Sequence, residues 1–274
     1  MGIGLETERL DTAVGKIDLV HGGAGSPVVY LHSAQGETNA ESPLLRDLAS
    51  TFEVFAPVFP GFGESEGIEA IDDITDAMFH VVDVIERLDV AQPTLVGQSL
   101  GGWLAAEVAV FYPHLVSHLV LVNSVGLYLA ESPIPDMFRG RGDELAEMLF
   151  HDQSHPIAQM MHAMAEGIED PVVLAGIPFD MIRPTLLAMA ATAKIGWDPY
   201  LHDPRLAKRL QRATMPALVV RSDDDRFVGP AHADAFVSLL PDARLVVIPD
   251  AGHLLALEQP AALAATIREF LAPA

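Results

Sequence analysis

The segment Leu95-Val96-Gly97-Gln98-Ser99-Leu100-Gly101-Gly102 joins an apolar, strand-like run to a helical one through a Gly-x-Ser-x-Gly turn. A chain that crosses from strand to helix this tightly needs residues without a Cβ on both sides of the serine, which Gly97 and Gly101 supply. A serine hydroxyl is a poor nucleophile at neutral pH. It has to be lifted out of the sheet to a place where a base can reach it and an oxyanion can form beside it. A Ser that merely caps a helix would not need the flanking glycines.

Short, β-branched apolar runs recur at 16–20, 27–31, 53–56, 94–96, 118–122, 218–220 and 245–248. Continuous rather than alternating runs of this length are what strands of a parallel sheet covered on both faces require. Between them Ile74, Met78, Val81, Ile85 and Leu88 form one helical stripe, and Leu104, Val108 and Phe111 continue the helix opened after Ser99. The alternation predicts an α/β, doubly wound, mostly parallel sheet. A length of 274 residues with 50% hydrophobic content suits one such domain with an insertion. The alternation breaks from Gly126 to Trp197, where prolines punctuate short helical patterns and seven of the ten methionines fall (Met137, Met148, Met160, Met161, Met164, Met181 and Met189). Ile157, Met160, Met161, Met164 and Ile168 recur at helical spacing, which predicts one apolar face.

Two further places carry chemistry. After the run 216–221 comes Ser222-Asp223-Asp224-Asp225, and after the run 244–249 comes Asp250-Ala251-Gly252-His253. A serine needs a base to take its proton, and His253, in a loop just past a strand, suits that part. The imidazole in turn needs a carboxylate to orient it, for which Asp223, Asp224 and Asp225 all qualify. The histidines at 151, 155 and 162 are too irregularly spaced for a metal site, and no His-Glu-x-x-His pattern occurs.

With His32 and the turn after it, the segment Pro60-Gly61-Phe62-Gly63-Glu64-Ser65, the Gly97 to Gly102 turn, Asp225 before Val228, and Gly252-His253, the chain resembles the α/β-hydrolase superfamily in its cap-bearing branch. The order Ser, Asp, His is that of the superfamily. The resemblance implies an α/β-hydrolase core over 1–125 and 204–274 with a helical cap inserted over 126–203. It implies Ser99, Asp225 and His253 as a triad: the family's small residue before the acid corresponds to Ser222 and selects Asp225 over Asp224. Some relatives carry the acid after the strand that follows the nucleophile helix, but Asn123 stands there and cannot bear the charge. Backbone N–H groups of Ala34 and Leu100 are implied as the oxyanion hole. The chain departs from the family at Ser33, which replaces a glycine. That change either restricts the loop or supplies a further hydrogen bond. Pro60 to Ser65 reads as scaffold. Ser33, Met160, Met164, Trp197 and Leu254 are the residues expected to touch substrate.

Sixteen Lys and Arg against 38 Asp and Glu give a net charge of −22, which speaks against nucleic acid or an anionic membrane as partner. There is no cysteine, hence no disulfide or thiolate chemistry. No basic segment followed by an apolar stretch opens the chain and no uncharged apolar run reaches 18 residues, so the protein is expected to be soluble and cytoplasmic. The expected activity is cofactor-free and metal-free hydrolysis of small apolar carboxylic esters through an acyl-enzyme on Ser99. The second reading is carbon–carbon bond hydrolysis of the meta-cleavage-product type, whose members often have Trp where Leu254 follows His253. Lactonase and perhydrolase chemistry use the same residues, and a ligand receptor that keeps the fold is a remote alternative. Branches that attack with a carboxylate are set aside by Ser99. The apolar cap face can pack on its own core or on another subunit, which leaves the oligomeric state open.

Overall fold

Eight strands form one sheet in the order β1-β2-β4-β3-β5-β6-β7-β8. They are β1 (Glu6–Asp11), β2 (Lys16–Gly23), β3 (Pro27–Leu31), β4 (Glu53–Pro57), β5 (Thr94–Gln98), β6 (His118–Val122), β7 (Ala217–Ser222) and β8 (Ala243–Ile248). The computed structural model describes residues 4–169 and 179–272. From β4 onward all pairings are parallel, and β2 pairs antiparallel with both β1 and β4. The expected α/β architecture is what forms.

The parallel strands are buried on both faces, and their side chains divide by the period of two. Val29, Leu31, Leu95, Leu119, Leu121 and Val219 belong to one core cluster. Val28, Tyr30, Val96, Val120, Val122 and Val220 belong to the other. Helices α1 (Pro43–Ala49), α2 (Ile74–Arg87) and α3 (Leu100–Phe111) cover these faces. Helix α2 starts where the Asp73 carboxylate accepts the N–H groups of Thr75 and Asp76, an N-cap. Its stripe points inward as expected, with Met78, Val81 and Ile85 buried. Helix α3, apolar except for Glu107, is buried along all but its last residue.

Strand β1 lies outside the apolar runs because it buries almost nothing. Five of its residues are exposed, so no apolar period marks it. It is held by backbone pairing to β2 and by charges, with Arg9 at 2.9 Å from Asp18, its cross-strand partner, and 3.0 Å from Glu66.

Between β6 and β7 the chain leaves the sheet for α4 (Gly142–Leu149), α5 (Pro156–Glu169) and α6 (Phe179–Gly196), and returns through α7 (Leu206–Arg209). Gly126 and His202 form a bridge where this insertion begins and ends. Helix α8 (Pro230–Leu239) follows β7, and α9 (Leu255–Glu258) and α10 (Pro260–Leu271) close the chain. The buried line of α5 is Ala158, Met161 and Ala165. Ile157, Met160 and Met164 are only half-buried, so the helix is turned somewhat from the face its larger residues suggest. Residues 170–178 of the insertion and the side chains of Ile168 and Met181 lie outside the described residues.

Candidate active site

Ser99 stands between β5 and α3 with φ 54° and ψ −112°, a backbone region that L-residues rarely occupy. The strain is imposed by packing. A Cβ on Gly97 would run into the carbonyl of Gly101, and one on Gly101 into the carbonyl of Leu31. The turn therefore draws α3 hard against β3 and β5, with the Ser99 N–H donating to the Val122 carbonyl at 2.9 Å.

The loops after β7 and β8 bring the other groups to the same edge. Ser99 Oγ lies 2.8 Å from His253 Nε2, and His253 Nδ1 lies 2.9 Å from Asp225 Oδ2. The side chains of His253 and Asp225 are each 2% exposed. Asp225 Oδ1 accepts the N–H groups of Phe227 and Val228 at 2.9 and 2.8 Å, so the carboxylate is fixed independently of the histidine. With Nδ1–H donated to Asp225, Nε2 carries the lone pair that accepts the Ser99 hydroxyl. Such a line can pass a proton from serine to imidazole while a buried carboxylate stabilises the imidazolium. The other two candidate acids point elsewhere: Asp223 is exposed, and Asp224 pairs with Arg226 and with His151 at 2.6 and 2.8 Å.

Asn123, directly after β6, bears no charge and has a different part. Its Nδ2 donates to Ser222 Oγ and to the His253 carbonyl, both at 2.9 Å, and to the Gly252 carbonyl at 3.3 Å, while its Oδ1 accepts the Ser222 N–H. It thus ties the ends of β6 and β7 to the histidine loop. An isolated Asn after a strand carries no sequence signal for a partner 130 residues away.

The loop after β3 carries Ser33 and Ala34 to the mouth of the site. His32 is fully buried: its Nε2 accepts the Phe59 N–H at 3.0 Å and its Nδ1 lies 2.6 Å from the Ser33 carbonyl. Burial holds its pKa below the usual histidine value, so it serves as a neutral strut between two loops. The Ala34 N–H has no hydrogen-bond partner among the described residues. Leu100 is the first residue of α3, so its N–H is one of those that a helix start leaves free.

A narrow cavity of about 10 Å³ lies over Ser99, room for on the order of one water. Of the residues expected at substrate, Ser33 and Leu254 line it, as do Ala34 and Leu100. Met160, Met164 and Trp197 do not. The two methionines flank rather than form the inward line of α5, and Trp197, 56% exposed, packs on Phe138 with ring centroids 5.2 Å apart. Their places are taken by Met137, Leu149, Leu201 and Phe227. Met137 is held there by Tyr200, whose hydroxyl accepts the Met137 N–H at 2.8 Å and donates to the Pro135 carbonyl at 2.6 Å. Burial pushes the Tyr200 hydroxyl up to about 12, so it remains a donor.

Residues 19–260 match the model of a family described as alpha/beta hydrolase fold. Among curated relatives the chain is 29% identical to polyketide synthase ThaQ of Burkholderia thailandensis over 93% of its own length, but spans only 12% of that protein. It is 26% identical to the pimeloyl-[acyl-carrier protein] methyl ester esterase of Nitrosomonas europaea, over 84% of this chain and 90% of that one. It is also 26% identical to the 2-hydroxymuconate semialdehyde hydrolase of Pseudomonas sp. strain CF600, over 94% and 91% of the two chains. Among solved structures, 2-hydroxy-6-oxo-6-phenylhexa-2,4-dienoate hydrolase from Rhodococcus sp. strain RHA1 superposes with a TM-score of 0.75 at 23% identity, over 98% and 99% of the chains. Naproxen esterase from Bacillus subtilis gives 0.75 at 19% identity, over 98% and 92%.

Proposed function

The chain belongs to the alpha/beta hydrolase fold family, and we propose that it is a serine hydrolase that cleaves neutral carboxylic esters through an acyl-enzyme. Ser99 gives its proton to His253 across their 2.8 Å hydrogen bond while Oγ attacks the ester carbonyl. Asp225 stabilises the imidazolium that results. The N–H groups of Ala34 and Leu100 receive the oxyanion. His253 returns the proton to the departing alcohol, and water, activated by the same imidazole, resolves the acyl-enzyme.

The observation that carries the choice of substrate is the lining of the cavity. It holds no Lys or Arg side chain, and residues 170–178, outside the described residues, contain neither. A buried substrate carboxylate would lose its hydration with no cation to meet it. A neutral acyl group meets Met137, Leu149, Leu201, Phe227 and Leu254 instead. This favours esters over the dienoate acids named for the carbon–carbon hydrolases, which remain the second reading because similarity to both kinds of relative is equal at 26%. The segment 126–203 acts in this reading as a cap, since Met137, Leu149 and Leu201 reach the cavity from it.

Turnover of p-nitrophenyl esters from acetate to octanoate, measured beside Ser99→Ala, tests the proposal. Chain-length-dependent hydrolysis that disappears in the variant is expected. Equal rates for the two proteins would overturn it and turn attention to vinylogous 1,5-diketones, then to ligand binding without catalysis.

A further inference from the structure

Ser33, which by the sequence resemblance replaces a glycine, lies in the loop that offers the Ala34 N–H, and none of its polar groups is left idle. Its hydroxyl donates to Glu37 Oε2 at 2.6 Å and accepts the Gln35 N–H at 3.0 Å. Its own N–H is shared between the two Glu37 oxygens at 3.0 and 3.2 Å. Its carbonyl accepts the Gly36 N–H at 3.1 Å and faces His32 Nδ1. Ser33 is 1% exposed, so these are bonds made away from water, where misplacing one is costly.

The carboxylate at the centre of this knot is anchored in turn. Glu37 Oε1 accepts the hydroxyl of Tyr30 at 2.8 Å, and Tyr30 lies in β3 with its side chain in the core. Burial, together with the adjacent carboxylate, drives the Tyr30 hydroxyl pKa well above its usual value, which keeps the proton on the phenol. A rigid strand therefore fixes Glu37, Glu37 fixes Ser33, and Ser33 fixes the turn from which the Ala34 N–H projects unpaired. Glycine at 33 would lose both hydroxyl bonds, to Glu37 and from the Gln35 N–H, and keep only the bonds of its own backbone.

We propose that Tyr30, Glu37 and Ser33 form a positioning unit that pre-organises the Ala34 N–H for the oxyanion, replacing by side-chain bonds what a glycine turn does by backbone alone. The inference rests on the ester-hydrolase reading. None of the three touches the reacting atoms through its polar group; they act through the placement of one donor. An oxyanion donor works only when it is aimed beforehand, and loss of one is worth about 10²- to 10³-fold in kcat. Misaiming one is expected to cost less, about tenfold or more, and to appear in kcat rather than KM because the donor meets charge only in the transition state.

The test is steady-state hydrolysis of the best p-nitrophenyl ester by Ser33→Ala, Glu37→Ala, Glu37→Gln and the double variant Ser33→Ala/Glu37→Ala, with active sites counted by a fluorophosphonate so that unfolded protein is excluded. Each single alanine variant is expected to lose about tenfold or more in kcat with KM within about twofold. The double variant should be no worse than the poorer single one, since both break one chain of bonds. Glu37→Gln keeps one carbonyl oxygen for Ser33 and should fall between wild type and Glu37→Ala. Inhibition by an alkyl boronic acid, which takes a tetrahedral anionic form on the serine, should weaken in step with kcat. Unchanged kcat in Ser33→Ala and Glu37→Ala, or losses that multiply in the double variant, would overturn the proposal. An inactive wild type would instead refute the ester-hydrolase reading itself, so the two failures are separable.

Discussion

Asn123 is the residue whose importance contrasts most with its chemistry, because it neither ionises nor faces substrate. Its amide holds the Gly252 and His253 carbonyls and Ser222, so truncation leaves buried carbonyls unpaired and frees the loop that carries the imidazole. Asn123→Ala is expected to lower the melting temperature and to cut ester turnover by about tenfold or more, given that small displacements at a reacting centre cost up to about 10² in rate. Asn123→Asp keeps the size but adds a charge and turns an acceptor toward those carbonyls. It should rescue neither property, and a variant that hydrolyses esters like wild type would show that the loop is held by other means. Ser99 itself has the strained backbone and His253 the two bonded nitrogens that such an arrangement needs, and each is fixed by neighbours remote in sequence.

On the scale of elements, α3 carries a cost beside its service to the site. Glu107 is buried on its flank, 3% exposed, where it accepts the Trp103 indole N–H at 3.0 Å and faces Asp203, itself bonded to Arg209 at 2.7 Å. Burial raises its pKa to about 7, with the Trp103 bond opposing and Asp203 adding to the rise. The folded protein therefore keeps this proton over a range in which the unfolded chain, near the ordinary 4.5, has released it. Folded chains bind more protons there, so stability falls as pH rises from about 4.5 through 7, by on the order of 3 kcal/mol at most. Glu107→Gln keeps an acceptor for Trp103 and cannot ionise. Urea unfolding is expected to show the variant more stable than wild type at pH 8, with the gap closing toward pH 5. A gap that does not vary with pH would refute the linkage.

At the scale of the whole molecule, the insertion is fastened to the loops that carry the imidazole and its carboxylate. The Leu254 N–H donates to the Leu149 carbonyl at 3.2 Å, and Glu258 accepts both the Gly252 and the Asp152 N–H groups at 2.7 and 2.8 Å. His151 adds an ion pair to Asp224. The bond to Asp224 raises the His151 pKa above 6.5, with burial opposing the rise and the Asp224, Glu258 and Asp250 charges assisting it. A raised histidine contributes fully below about pH 6.5 and loses its contribution as pH climbs through the higher folded value. Hydrogen exchange of the amides at 150–155, corrected for the intrinsic pH dependence, is expected to speed up over that interval. The effect should be absent in His151→Gln; equal behaviour in both proteins would show that the pair does not fasten the insertion. No helix among the described residues is long and apolar enough to cross a membrane.

The sequence by itself determined the sheet and its turn. Apolar runs that must be buried on both faces became parallel strands, and glycines at 97 and 101, where a Cβ would clash, permitted the tight strand-to-helix turn at Ser99. Motif order pointed to His253 and left Asp223, Asp224 and Asp225 open; resemblance to the family chose Asp225, whose carboxylate lies 2.9 Å from His253 Nδ1. Strand β1 leaves no apolar mark in the sequence because it buries almost no side chain and owes its conformation to β2. The cavity lining is unmarked for a related reason. Helical spacing in α5 says which residues share a face, not how the helix is turned, so Met160 and Met164 flank its buried line, and no motif marks Trp197 as outside the cavity or Met137, Leu149, Leu201 and Phe227 as lining it. What Ser33 does in place of glycine was likewise decided by tertiary structure. A hydroxyl's partners are set by which carboxylate the folded chain brings within 3 Å, and here β3, through Tyr30, had already fixed Glu37.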